Sequence, residues 1–149
     1  SICDKVAVMN EGKIHQIDTP INLLNNPKTI FVSSFILGNN ILNLKKNGNS
    51  YISCLGEISC SEYLKNVNIK SMSISPKFIS IKRSESGDAI VISKEFLGEF
   101  LIYKVSINGN ILRVRTDINN LLNNGDKCSL SINKNSYYFL YPGAHKVYI

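Results

Sequence analysis

Cys3, Cys54, Cys60, Cys128, His15 and His145 are the side chains of this sequence best suited to hold a metal or attack a substrate. Their spacing supports neither use. No C-x-x-C pair occurs, and a zinc centre is normally built on such close pairs. Cys54 and Cys60 are near enough in sequence to form a disulfide, yet the scatter favours four reduced thiols of a cytosolic protein. Neither histidine stands in a Ser, His and Asp pattern that spacing could single out. Asp and Glu total only 11 and are dispersed, so no paired carboxylates emerge for acid–base work. No G-x-x-x-x-G-K-[ST] and no G-x-G-x-x-G loop is present to cradle a phosphate. The sequence names no catalytic, cofactor-binding or metal-binding residue.

Charge and composition narrow the remaining classes. The formal net charge is +6, carried mainly by Lys, with Arg only at Arg83, Arg113 and Arg115. Nucleic-acid readers and phosphate clamps favour the bidentate Arg fork, so this charge reads as solubility rather than recognition. Asn, Ile and Lys are abundant and Ala is rare, a bias expected of an AT-rich genome. With 149 residues and 44% hydrophobic side chains the chain can bury a core as about one compact unit. No apolar run is long enough to span a membrane as a helix, and no signal peptide is visible. The first residue is Ser1 rather than Met, which leads us to expect a fragment or a processed product.

The elements that would position any site fall into two textures. Val6 to Met9 and the residues around Ile14 and Gln16 flank Asn10-Glu11-Gly12-Lys13, which predicts a hairpin. Thr19 is placed as a helix N-cap with Pro20 at the first helical position. Ile21, Leu23 and Leu24 supply a short apolar face, and Thr29 to Leu37 suits a second helix packed on something larger. A hairpin and two short helices cannot make a core alone. From Gly38 onward the chain reads as all-β. Ile41–Leu44 and Tyr51–Leu55 flank a turn at Lys46-Asn47-Gly48-Asn49, and further strands are expected at 69–74, 78–82, 89–96, 100–107, 111–116, 127–132 and 137–141. Leu101, Tyr103, Val105 and Ile107 share one face by two-residue alternation, opposite Leu112 and Val114 of the next strand. Asp117–Asn124 and Ser61–Asn66 are candidate helical turns. So many short strands predict a mainly β protein with a small barrel of the OB type. The aromatic strand Tyr137, Tyr138, Phe139 and Tyr141 could stack bases in such a barrel, but its alternation favours core and interface packing. Gly98 before an apolar strand predicts a bulge or tight turn.

A family resemblance adds what the residues alone do not. Ser1 to Ile14, with Asp4, Val6-Ala7-Val8-Met9, Gly12 and then Gln16, resembles the stretch after the switch histidine in ATPase subunits of ABC importers. Thr19-Pro20, Pro27, Phe31-Val32, Phe35-Ile36, Gly38 and Asn40 resemble the continuation of that stretch, and together these motifs span about 40 residues. The rest resembles the transport-associated OB domain that such subunits append. Its E-x-L-G-x-E-like signature is matched by Glu95, Leu97, Gly98 and Glu99. Its [VI]-R-P-E-D strand is only partly matched by Ile74-Ser75-Pro76-Lys77, because Ser75 and Lys77 replace the usual basic and acidic residues. Asp18 stands where Gly usually precedes Thr-Pro, a replacement suited to turn backbone.

The resemblance implies a division at residues 1–37, the end of a nucleotide-binding domain, and 38–149, an OB-fold regulatory domain. It implies a parent chain of the ferric iron, polyamine or sugar importer group that hydrolyses ATP with Mg, its catalytic motifs lying before Ser1. The segment itself is then expected not to be an ATPase. The parent would work as a homodimer under membrane permease subunits, in the cytoplasm on the inner face of the membrane, with ferric iron or a polyamine as cargo and no nucleic acid as partner. An OB module for single-stranded nucleic acid and a small-anion sensor are the alternatives. Apolar strands after Asn40 and the aromatic run lead us to expect self-association through the β region.

Overall fold

Turn chemistry and alternation account for most of the chain's architecture, which is mainly β. A computed structural model describes residues 4–59 and 61–149. Ser1, Ile2, Cys3 and Cys60 lie outside the described residues, and with them the start of the importer-like motif and the Cys54–Cys60 alternative.

The predicted N-terminal hairpin is present. Strands β1 (Val6–Asn10) and β2 (Lys13–Asp18) pair antiparallel around a tight turn at Glu11-Gly12. Helix α1 (Pro20–Asn25) follows, capped as expected: the Thr19 hydroxyl accepts from the Asn22 amide at 3.2 Å. The second helix is a single wide turn, Val32–Ile36, closed by the Leu37 amide bonding to the Val32 carbonyl five residues back. Val8, Leu23 and Val32 form a small cluster of their own, flanked by Phe31 and Leu37.

The remaining strands are β3 (Asn40–Asn43), β4 (Lys45–Asn47), β5 (Ser50–Ser53), β6 (Gly56–Ser59), β7 (Ser71–Ile74), β8 (Ile79–Arg83), β9 (Ala89–Phe96), β10 (Phe100–Ile107), β11 (Asn110–Asp117), β12 (Lys127–Ile132), β13 (Tyr137–Tyr141) and β14 (His145–Tyr148). They make a five-stranded sheet, β11-β10-β9-β12-β8, a four-stranded sheet, β14-β13-β7-β3, and a three-stranded one, β4-β5-β6. All pairings are antiparallel. These orders are open, so the described strands do not close into one hydrogen-bonded ring. The chain instead passes between the four-stranded and five-stranded sheets at two corners, the 3₁₀ turn Pro76–Phe78 and the loop before β13. Asn133 ties the corners together: its amide N–H donates to the Phe78 carbonyl at 2.8 Å, and its side chain meets the Ser80 hydroxyl and the Lys77 carbonyl.

Alternation is obeyed where the five-stranded sheet faces inward. Leu101, Tyr103, Val105 and Ile107 of β10 and Leu112 and Val114 of β11 are all buried. They join Leu42, Met72 and Leu140 from the four-stranded sheet in one core. The turn between β9 and β10 holds Gly98 at φ +84°, a conformation side chains with a Cβ rarely adopt.

Four expectations are corrected. Strand β3 does not pair across the Asn47-Gly48 turn; it pairs with β7, because Leu42 is fully buried beside Met72 in that register. The turn instead joins β4, whose residues are all exposed, to β5. Residues 117–124 form no helical turn: the Asp117 carboxylate accepts from the Asn119 amide and the Tyr103 hydroxyl from the Leu122 amide, so side chains take the bonds a helix would make. His145 lies not in a tail but in β14, opposite Leu140. Asp18 is extended strand backbone, not turn backbone; its carboxylate, not its torsion, is what the position uses.

Candidate functional site

The N-terminal segment meets the four-stranded sheet along a polar seam, and a cleft opens in it. The seam begins with cross-strand register. Ser73 of β7 stands opposite Phe139 of β13 and Ile41 of β3, so all three present the same face. Residues 24–39 cover part of that face. The Ser33 hydroxyl donates to the Ser73 hydroxyl at 2.7 Å, both groups fully buried, and the Asn39 side chain donates to Ser33 at 3.1 Å. The Tyr141 hydroxyl donates to the Pro27 carbonyl at 2.7 Å. Burial raises the Tyr141 phenol above its ordinary value, partly offset by the neighbouring Ser33 and Ser73 hydroxyls.

Several motif residues explain themselves here as positioning groups. Gln16 is buried and holds the loop after α1, donating to the Asn26 carbonyl at 3.0 Å and accepting from the Lys28 amide at 2.9 Å. Asp18 accepts from the Thr19 amide at 3.0 Å and from the Asn22 side chain at 2.9 Å. Hydrogen bonds from Asn22 and then Gln16 hold its carboxyl below the usual value. Asn40 acts as a strand partner made from a side chain. Its amide accepts from the Arg113 N–H at 2.9 Å and donates to the Arg113 carbonyl at 2.8 Å, satisfying both backbone groups on the edge strand β11. These residues do no chemistry on a ligand: Gln16 and Asp18 hold the N-terminal segment in shape, and Asn40 joins β3 of one sheet to β11 of the other.

Between the segment and the sheet the cleft has a volume of about 320 Å³. Tyr137 and Phe139 line it from β13, Ser75 and Lys77 from the corner, and Asn25 and Asn39 from the N-terminal segment. The Ser75 hydroxyl caps the 3₁₀ turn by accepting from the Lys77 amide at 3.4 Å, which leaves its proton to donate elsewhere. The Lys77 ammonium lies 5.1 Å from the Phe78 ring centre and has no carboxylate among its partners. Lys146 stands opposite Phe139 on the same face, its ammonium 4.4 Å from the Tyr137 ring centre. The lining contains amides, hydroxyls, aromatic walls and one ammonium, and no acid.

The other residues singled out from sequence are scattered. Glu95, Leu97, Gly98 and Glu99 sit exposed at the β9–β10 end, away from the seam residues along the strand order. His15 hydrogen-bonds Thr29 through Nδ1 at 3.0 Å and packs at 4.8 Å on Phe31. The aromatic strand is largely core: Tyr138, Phe139 and Tyr141 are buried, so no exposed row remains for stacking bases. Burial pushes the Cys54 and Cys128 thiols up, which disfavours the reactive thiolate. Of the cleft residues, the sequence pointed to Ser75, Lys77 and the aromatics, and missed Asn25 and Asn39; it also missed Lys146 beside the cleft. An Asn carries no periodic signal, and only strand pairing puts Lys146 beside Phe139.

No family model matches the chain. Individual proteins do. The spermidine/putrescine import ATP-binding protein PotA of Bacillus cereus is 50% identical over 52 residues, 35% of this chain and 15% of that protein. PotA of Desulfitobacterium hafniense is 55% identical over 42 residues, 28% of this chain and 12% of its own length. PotA of Trichormus variabilis is 30% identical over 139 residues, covering 78% of this chain. That coverage is too large to fall within residues 40–149 alone. The chain spans only 36% of the Trichormus protein and less of the others. Its likeness is to the C-terminal part of the ATP-binding subunit of ABC-type importers.

Proposed function

We propose that this chain is the regulatory and dimer-stabilising end of an ATP-hydrolysing ABC importer subunit. Residues 1–37 complete the nucleotide-binding domain, and residues 38–149 are the appended regulatory domain of the OB type. ATP and Mg bind in the parent chain, upstream of Ser1. The cargo is a polyamine, following the printed names of the relatives, rather than ferric iron. The parent acts as a homodimer under permease subunits, in the cytoplasm at the inner face of the membrane.

One observation carries the reading: a likeness to an import ATP-binding protein over 78% of this chain, more than residues 40–149 alone can hold. The seam supports it physically. The Ser33–Ser73 and Tyr141–Pro27 bonds tie the segment to the four-stranded sheet, so the two are placed to sense each other's changes. Among the described residues no helix is long and apolar enough to cross a membrane, which suits a subunit that meets the membrane through partners.

The test is an exchange. The matching C-terminal part of the Trichormus protein is replaced by this chain, and spermidine uptake is measured in cells lacking their own importer ATPase. Uptake above that of the truncated Trichormus protein is expected. Uptake no better than the truncated protein overturns the reading.

A further inference from the structure

We propose that the seam cleft is a binding site for a small organic anion with a flat or apolar body. Its charged group would meet the Lys77 ammonium and the Ser75 hydroxyl, and its body would lie against Tyr137 and Phe139. The cleft's size, about 320 Å³, falls at the small end of ligand pockets, room for a molecule of several heavy atoms.

The sign of the ligand follows from the lining. Lys77 is the one charged group that lines the cleft, and Lys146 stands over the Tyr137 and Phe139 rings from the same face. A cation placed there would meet the Lys77 ammonium and no carboxylate, with Lys146 already over the Tyr137 and Phe139 rings, which costs it the pairing a charge leaving water requires. An anion gains charge-assisted hydrogen bonds from Lys77 and further donors from the Ser75 hydroxyl and the Asn25 amide. The walls fix the rest of its shape. Phe139 is buried and Tyr137 is packed edge-on against Phe78, so the aromatic surfaces are held rigid before anything binds. The cleft therefore cannot serve as a site for the polyamine cations named in the relatives. It is suited to a molecule of the opposite charge.

Its place in the fold gives such a ligand leverage. Asn25 and Asn39 come from the N-terminal segment, while Lys77, Tyr137 and Phe139 come from the sheets. A ligand spanning the cleft bridges the two and tightens the seam by mass action.

The proposal does not rest on the import reading, and its test uses the 149-residue chain alone. Benzoate, citrate and inorganic phosphate are titrated separately while amide NMR signals are followed. Saturable shifts at Ser75, Lys77 and Tyr137 are expected for benzoate, with Kd below about 10 mM, and shifts with phosphate or citrate but not benzoate would overturn the flat or apolar body. Lys77→Gln should weaken that binding by about tenfold. Lys82→Gln, on β8 and outside the cleft, removes the same charge and should leave binding unchanged. No saturable shift with any probe overturns the proposal. So does an equal loss in both variants, which would mean attraction to net charge alone. Saturable shifts with spermidine at the same amides would overturn the assignment of sign.

Discussion

Residues 4–37 and residues 40–149 hold themselves together by different means. The β region owns a continuous core of buried side chains from two sheets. The N-terminal segment owns three, Val8, Leu23 and Val32. Yet it exposes Met9, Ile14, Ile17, Ile21, Leu24 and Phe35, each more than half accessible. So much open apolar surface on so short a segment marks a piece whose own packing partner is elsewhere. What keeps it ordered in this chain is polar: Gln16 within the segment, and the Ser33–Ser73 and Tyr141–Pro27 bonds across the seam. A segment without a core can still be well placed when its buried polar groups are all answered, because each unanswered one is costly.

The comparison makes its largest prediction in the β core. Leu112→Ala empties a site that is 2% exposed and should cost about 2–5 kcal/mol, lowering the denaturant midpoint of the whole β region. A loss confined to residues 4–37 by amide exchange would break the comparison at its root.

Asn40→Ala tests the joint between the four-stranded and five-stranded sheets within the β region. It leaves the Arg113 N–H and carbonyl without their partner and should destabilise by about 2 kcal/mol. Faster amide exchange at Arg113 should accompany it. An unchanged midpoint would mean water replaces the Asn40 amide at no loss.

Tyr141→Phe cuts one bond of the seam, the one to Pro27, and should cost about 1 kcal/mol. Its signature is regional. Limited proteolysis should cleave residues 4–37 faster while the β region resists as before. Raising pH acts on the same group. Because the folded phenol titrates above its ordinary value of 10.0, its contribution is complete below that pH and is lost as pH climbs through and beyond it. A pH melt of Tyr141→Phe should lack that part of the alkaline loss.

The smallest effect belongs to Asp18, which is half-buried. Its folded carboxyl titrates below 3.8, so the stability it adds is present above that pH and fades as pH falls below it. Asn22 and Thr19 amide exchange should quicken there, and Asp18→Asn should remove the dependence. Persistence of the dependence in that variant would assign it to another carboxylate.

Much of the β architecture was legible in local pattern. The bounds of β9, β10, β12 and β13 agree with the alternation of apolar residues between Gly- and Asn-containing turns. The hairpin at Glu11-Gly12 and the Thr19-Pro20 cap are local too, since each is decided within a few residues of its own sequence. The site was less legible. Lys77 comes from the corner turn and Tyr137 from a strand far along the chain, and nothing in the sequence drew attention to Asn39. Strand β14 went unseen because His145, Lys146 and Tyr148 lack the alternation that a half-buried strand usually shows.

What the sequence by itself determined is therefore which residues extend, which turn, and which face of each strand is apolar. Sterics at Gly and Asn, and the two-residue period of a strand, act over neighbours and need no partner. Which strands pair was decided only in three dimensions. Asn40 reaches Arg113 across 73 residues and Tyr141 reaches Pro27 across 114. β3 takes β7 rather than its neighbour in sequence because that choice buries Leu42 against Met72. The cleft belongs to this second class. Its charge and walls arise where a corner, a strand and an N-terminal segment meet, and their meeting is set by burial of the whole core rather than by any local run of residues.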